Sequence, residues 1–310
     1  MLLNIFYLYR LDVLDEYHDG VPHFNLSAQR WWYKLAQVCG RWRHLILASP
    51  SRLRLHFLCT HGVPVAKMLA HSPPLPLTIY YEEYRETTEE DEENILLALR
   101  RSDRVHYISL DLPPPKMRKI ITTMDEPLPI LERLYIWSWS EGDGSLVLPR
   151  TFQAPHLRRL HLSGAALPIG SSLLTTTAGL VSLRLRKIPP SAYFPPTYLV
   201  TQLSLLPQLE ILEIGFHSPP PNRDVDRQLL ATPIMPHITL PNLRVFLFKG
   251  VSACLEGLLR QIKSLSSRSS KLSFSISSLL RSLVSCSCWV HQKLSALTPF
   301  GSLSTMISLN

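Results

Sequence analysis

Short segments with one hydrophobic pattern recur along the middle of the chain. Each has apolar residues at its first, fourth and sixth positions, and the segments lie at residues 105–110, 131–136, 157–162, 180–185, 209–214 and 243–248. Their starts are 26, 26, 23, 29 and 34 residues apart. In an extended chain the fourth and sixth side chains share one face, and the third, fifth and seventh share the other. The pattern therefore predicts six strands, each with one face buried.

The spacing of these strands predicts how they assemble. A period of this length is typical of leucine-rich repeats, in which a strand and a following helix or loop form one coil. Because one coil cannot bury its apolar face alone, neighbouring coils stack. We predict an irregular α/β solenoid over residues 51–263, with parallel strands and with helices or loops on the convex side. Segments 131–136, 157–162 and 180–185 are expected side by side, with three leucines buried: Leu134, Leu160 and Leu183.

The first fifty residues have a helical pattern instead. An apolar run from Leu2 to Tyr9 starts one helix, and Ser27 is a candidate cap for a second helix. Apolar residues then recur at three- and four-residue spacing from Trp32 to Ile46. We expect a break or bend near Gly40 and a small all-α domain at residues 1–50.

Two stretches of this domain resemble the F-box. Residues 3–6 (LNIF) are similar to the L-x-x-I-F of its first helix, and residues 35–43 (LAQVCGRWR) to the L-x-x-V-C-x-x-W-R of its later helices. With the repeats behind them, residues 2–263 resemble the F-box proteins of mushroom-forming fungi. The Leu-Pro pair that opens the F-box is absent, so by this resemblance the chain begins inside the first helix, and the usual Leu-Trp is replaced by Arg52-Leu53.

The resemblance implies a function. An F-box docks a Skp-type adaptor of a cullin complex, and the repeats hold a target protein. The chain would then be the substrate-recognition subunit of a cullin-type ubiquitin ligase. The residues implied in adaptor binding are Ile5, Phe6, Leu35, Val38, Cys39, Trp42 and Arg43. The alternative is a leucine-rich-repeat interaction module without a ubiquitin-ligase role.

The outward positions of the strands indicate where a target would bind. In the middle repeats the third, fifth and seventh places are rich in arginine, histidine and aromatic residues. Adjacent strands lie about 4.8 Å apart, so these side chains would cluster on the concave face, where guanidinium groups suit carboxylate or phosphate. A solvated arginine face is the alternative interpretation. The candidate substrate-binding residues are Arg133, Tyr135, Trp137, Arg159, His161, Arg184 and Arg186.

Two further segments carry strong composition signals. Acidic residues from Glu82 to Glu93 precede an apolar run, which is typical of a helix start, and Thr87 with Glu90 fits a capping box. From residue 264 to 310 serine dominates and acidic residues vanish. We predict that this tail is either disordered or foreign to the ancestral gene, through a retained intron or a shifted frame, and we favour the second.

Charge and chemistry restrict the function classes. The net charge is +8, but Arg268, Lys271, Arg281 and Lys293 lie in the tail, which leaves 8 − 4 = +4 for the body. A nucleic-acid binder is therefore not expected. Apolar runs of transmembrane length and a signal peptide are also not expected.

Cysteine and histidine placement gives no catalytic or metal site. The five cysteines are too scattered for a disulfide framework, which favours the cytoplasm or the nucleus. Cys286, Cys288 and His291 lack a fourth zinc ligand at finger-like spacing, and no phosphate-binding glycine loop is present. We therefore expect neither an enzyme nor a cofactor.

Overall fold

Helices form the N-terminal part of the computed structural model. The structure describes residues 2–14, 17–18, 21–22, 31–71, 73–82, 87–138, 146–189, 192, 194, 196–217, 237–250, 255, 258–259, 261–265, 271–276 and 306–307. The first elements are α1 (Leu2–Leu14), β1 (Tyr17–His18), β2 (Val21–Pro22), α2 (Trp31–Val38), α3 (Gly40–Leu47) and α4 (Pro50–Leu53). Strands β1 and β2 pair antiparallel.

The break between α2 and α3 lies at Cys39. This residue is extended (φ −160°, ψ 165°), so α3 starts at Gly40 and the predicted break is confirmed. The two helices remain in contact, because the Arg43 Nε donates to the Ala36 carbonyl at 3.0 Å. The ring of Trp42 packs edge-on against Phe6 of α1, with centroids 4.9 Å apart. The N-terminal helices thus form one packed group.

After the N-terminal helices, the main element of the described residues is one sheet of ten strands, all paired in parallel. Its order from one edge to the other follows the chain: β3 (Phe57–Cys59), β4 (Leu77–Tyr81), β5 (Val105–Asp111), β6 (Arg133–Trp137), β8 (Arg159–Ser163), β10 (Ser182–Ile188), β11 (Ile211–Phe216), β13 (Val245–Gly250), β15 (Lys271–Ile276) and β16 (Met306–Ile307). The sheet is open, since β3 and β16 lie at opposite edges. Two short parallel pairs flank it: β7 (Leu146–Val147) with β9 (Ala165–Ala166), and β12 (Ile238–Leu240) with β14 (Ile262–Leu265).

The register aligns the repeated pattern from strand to strand. Fourth-position residues face one another along one row, and sixth-position residues do so along a second row. Leu134, Leu160 and Leu183 are neighbours in the first row, and all three are buried. The predicted parallel arrangement of these three segments is therefore confirmed. The two rows are Ile108–Leu134–Leu160–Leu183–Leu212–Phe246 and Leu110–Ile136–Leu162–Leu185–Ile214–Phe248.

Helices connect many of the strands and share this core. They are α5 (Val65–His71), α6 (Glu89–Leu99), α7 (Pro114–Thr122), α8 (Ser172–Thr176) and α9 (Pro196–Leu203). Their apolar residues, such as Ile95, Ile120 and Leu173, belong to the same buried cluster as the strand rows. The helices therefore cover one face of the sheet and leave the other to the third, fifth and seventh pattern positions. Within the described ranges, no helix combines the length and apolarity that crossing a membrane requires.

The end of β8 shows why one glycine is needed. Gly164 has a φ of +69°, and a Cβ added there would lie 2.1 Å from the Ser138 carbonyl oxygen. Its N–H donates to the Arg186 carbonyl at 3.0 Å. A residue with a side chain would be strained and would clash, so glycine allows the chain to leave β8 next to β6 and β10.

The predicted capping box is wrong by one residue. Thr88, not Thr87, caps α6, and it exchanges hydrogen bonds with Asp91 instead of Glu90. The Asp91 carboxylate also contacts the His61 Nδ1 at 3.1 Å, a long-range contact that favours this position over its neighbour.

The sheet also extends beyond the six predicted strands. β3 and β4 precede them, and β15 continues the sheet past residue 263, where the solenoid was expected to end. Within the tail of residues 264–310, the segment Lys271–Ile276 is a strand that pairs with β13. Most of the tail, including Cys286, Cys288 and His291, lies outside the described residues.

Candidate functional site

The third-, fifth- and seventh-position side chains lie on the face of the sheet opposite the core rows. We call this the outer face, and the structure orders it by register in three rows. The rows are Tyr107–Arg133–Arg159–Ser182–Ile211, Ser109–Tyr135–His161–Arg184–Glu213 and Asp111–Trp137–Ser163–Arg186. All seven predicted substrate-binding residues therefore lie on β6, β8 and β10, as neighbours on one surface.

Aromatic side chains occupy the part of the outer face nearer to β3. Tyr80, Tyr107 and Tyr135 form a second buried cluster, with Trp137 packed at its side. Tyr135 stacks on Trp137 with centroids 5.7 Å apart and ring planes 8° apart. Trp137 in turn meets the ring of His161 edge-on at 5.2 Å. The stacked rings give this region a fixed, largely apolar shape.

Arginine side chains occupy the neighbouring part of the outer face, around one carboxylate. The Arg186 guanidinium donates to Glu213 through Nε at 2.5 Å and through Nη2 at 2.8 Å. The Arg184 Nε lies 3.9 Å from Glu213 Oε2, the oxygen that also accepts from the Arg186 Nη2. Glu213 therefore lies between two arginines. Its contact with Arg186 is bidentate, which is the strongest geometry for a guanidinium and a carboxylate.

Buried His161 and half-buried His106 lie beside this basic region, and both are neutral at physiological pH. Burial lowers the pKa of His161 to about 3, and the charges of Arg186 and Arg184 lower it further. Burial also lowers the pKa of His106 to about 4, against a hydrogen bond to the Leu77 carbonyl and together with Arg133. The positive charge of the outer face thus comes from the arginines and not from the histidines.

Burial divides the predicted substrate-binding residues into two groups. Tyr135 and His161 are buried, so they shape the surface from within. The five others, Arg133, Trp137, Arg159, Arg184 and Arg186, retain partial exposure. Neighbouring side chains enclose the rings of Tyr135 and His161 in the middle row, whereas the longer arginine side chains reach beyond these rings.

The predicted adaptor residues also fall into two groups. Ile5 and Val38 are 48% and 60% exposed, unusual for apolar side chains, and Cys39 and Arg43 are exposed as well. Leu35 and Trp42 are half-buried and pack against the core. Phe6 is only 1% exposed, so it holds α1 against Trp42 and is not accessible to a partner.

Sequence reasoning missed two residues of the outer face. Glu213 was not among the candidates, although its fifth-position place in segment 209–214 puts it in the row of Arg184. Tyr80 lies on β4, which the repeated pattern did not include, and its hydroxyl donates to the Glu82 carboxylate. The alignment of fifth positions already places Glu213 on the outward side, but the candidates were limited to arginine, histidine and aromatic residues.

A second group of polar side chains lies near α6. His61 Nδ1 contacts Asp91, and its Nε2 lies 3.3 Å from the Glu82 carbonyl oxygen. Burial favours the neutral carboxyl of Asp91, but hydrogen bonds from Thr88 and His61 outweigh it and lower the pKa. Burial raises the pKa of the nearby Cys59 thiol to about 12, so this cysteine is no nucleophile.

Metal ligation has no geometric support in the described ranges. No three histidine, cysteine, aspartate or glutamate side chains come together there in a way that could hold an ion. Comparisons of the chain with protein-family models, with curated protein sequences and with solved structures gave no match.

Proposed function

We propose that this protein is the substrate-recognition subunit of a cullin-type ubiquitin ligase. In this proposal the N-terminal helices are an F-box that binds a Skp-type adaptor. The parallel sheet is the strand layer of a leucine-rich-repeat-like solenoid, and its outer face holds a target protein. The chain itself carries out no chemical step, because bringing the target close to a partner enzyme is enough to accelerate modification.

The observation that carries the proposal is the presence of two different surfaces on one chain. On the N-terminal helices, Ile5, Leu8 and Val38 are apolar and 48%, 61% and 60% exposed. On the sheet, aromatic and arginine side chains form a charged, structured face. An exposed apolar group beside a polar rim is typical of a protein interface, and aromatic residues with arginine are typical of interface hot spots.

The proposal predicts that Val38→Lys removes adaptor binding. Val38 ends α2, where lysine suits the helix dipole and leaves the fold intact. In an interface core a charge would be desolvated without a partner, so we expect at least about a tenfold loss of affinity. The measurement is calorimetric titration of the full chain with a Skp-type adaptor.

A matched control is available outside the N-terminal helices, in one of the strand pairs that flank the sheet. Val147→Lys changes the same residue type at a site that is 43% exposed on β7, and it should bind the adaptor like the unaltered chain. Equal weakening by both variants would contradict the assignment of the N-terminal helices. Failure of the unaltered chain to bind would favour the alternative, a leucine-rich-repeat interaction module without a ligase role.

A further inference from the structure

The three central strands of the outer face carry basic residues and no acidic ones. Arg133 and Arg159 are register neighbours on β6 and β8, and Arg184 and Arg186 follow on β10. Like charges placed side by side on a sheet destabilise it. The nearest acidic residues in the same rows are Asp111 on β5 and Glu213 on β11. Four arginines therefore face this surface between two flanking carboxylates.

Glu213 already shows how a carboxylate binds here. Its two oxygens accept from Arg186, and one of them lies 3.9 Å from Arg184. The side chains of Glu213 and Arg184 are 14% and 15% exposed, so the carboxylate is largely shielded from water, whereas Arg186 is 36% exposed and reaches the surface. Less solvent screening makes such contacts stronger than those at an open surface.

A polar atom without a partner lies in the same place. His161 stands between Tyr135 and Arg184 in the middle row, and its Nε2 is buried without a hydrogen-bond partner in the part of the chain that the structure describes. A buried polar atom left in this state costs about 1–3 kcal/mol. Because this nitrogen is buried, it donates to an anionic oxygen only when the side chains that cover it move, and only in the tautomer that carries its proton on Nε2.

We propose that this surface binds an acidic peptide segment of the target protein, and that Glu213 occupies the arginine pair until that segment arrives. The inference names the class of target and therefore rests on the function proposed above. Arg133 and Arg159 hold the first anionic group, and Arg184 and Arg186 exchange Glu213 for the second. The anionic groups are Asp or Glu carboxylates or a phosphorylated side chain, since guanidinium binds both.

The size of the basic surface favours a peptide over a nucleic acid. Three adjacent strands span about 10 Å, which suits one or two acidic side chains. Asp111 and Glu213 border this span and would repel a longer polyanion. Trp137, partly exposed beside Ser163, adds an aromatic surface for a neighbouring apolar residue of the peptide.

Fluorescence anisotropy with the full chain tests this inference. The probes are fluorescein-labelled dodecapeptides with one tryptophan, flanked by Glu and Asp, by phosphoserine, or by Gln and Asn. We expect the acidic and phosphorylated peptides to bind and the amide peptide not to bind. Tighter binding of either anionic peptide identifies the preferred anion. The double change Arg133→Gln with Arg159→Gln should weaken binding at least about tenfold, a loss of about 1.4 kcal/mol.

The decisive variant is Glu213→Gln. If Glu213 competes with the peptide, its removal should tighten binding at least threefold, whereas a purely structural ion pair predicts unchanged or weaker binding. Glu210→Gln is the matched control, because Glu210 also pairs with an arginine, Arg244, at 3.8 Å but at an exposed site. The thermal midpoint of each variant shows whether the fold is intact.

Several results would overturn the inference. They are equal affinity of Glu213→Gln and Glu210→Gln, absence of anionic-peptide binding at 1 mM peptide, and tighter binding of a single-stranded oligonucleotide than of the acidic peptides. Adaptor binding is measured on the same samples. If the chain binds the adaptor but not the anionic peptides, the acidic target is rejected and the proposed function still stands.

Discussion

Leu183→Ala is expected to lower the free energy of unfolding by about 3 kcal/mol. Leu183 is fully buried and stands between Leu160 and Leu212 in a core row, so truncation leaves a cavity that the neighbouring strands cannot fill. The measurement is urea denaturation followed by circular dichroism.

The same change at an exposed leucine is the control. Leu205 is 42% exposed, and Leu205→Ala should cost less than about 1 kcal/mol. If the two variants lost equal stability, the burial of the strand rows, and with it the aligned register, would be wrong.

Acidification is expected to destabilise the protein between pH 6.5 and pH 4. His161 and His106 have folded-state pKa values of about 3 and about 4, below the ordinary 6.5. In this range the unfolded chain binds protons that the folded chain does not, so stability rises with pH and is lost as the pH falls. One pKa unit corresponds to about 1.36 kcal/mol, so each histidine should contribute a loss of a few kcal/mol.

The denaturation midpoint of His161→Gln across this pH range tests the assignment. Glutamine does not titrate, so the variant should show a shallower pH dependence than the unaltered chain. Parallel curves for the two proteins would mean that the His161 ring is charged or solvated in the folded state.

The strand pattern could be read from the sequence because it is local and repeated. Segments such as 131–136 and 157–162 place apolar residues on one face of a strand, and stacking then dictates a parallel register. The break at Cys39 follows equally from local spacing. These features require no knowledge of distant residues.

The strands outside the repeated pattern lack its one-sided alternation or were hidden by composition. β3 and β4 are buried on both faces, so the pattern does not include them, although the run from Ser72 to Tyr81 is typical of a turn followed by a strand, and β4 lies within it. β15 does alternate, with Leu272, Phe274 and Ile276 separated by serines, but the serine-rich surroundings obscured it. Alternation is therefore a better guide to such a strand than overall composition.

The candidate site could be predicted in outline only. The outward positions gave the arginines on β8 and β10, but the burial of His161 depends on how neighbouring strands enclose it. The two-pronged contact from Arg186 to Glu213 crosses rows, from a seventh to a fifth position. Such pairs depend on how far a side chain extends toward the neighbouring strand, and a sequence pattern does not show this distance.

In the proposed function, one chain links an adaptor to an acidic target through separate surfaces. Size-exclusion chromatography of a mixture of the full chain, a Skp-type adaptor and a labelled acidic peptide is the decisive test. We predict one peak that contains all three. In this peak Val38→Lys should lose only the adaptor, and Arg133→Gln with Arg159→Gln should lose only the peptide. Elution of the adaptor apart from the unaltered chain, or loss of both ligands from either variant, would contradict it.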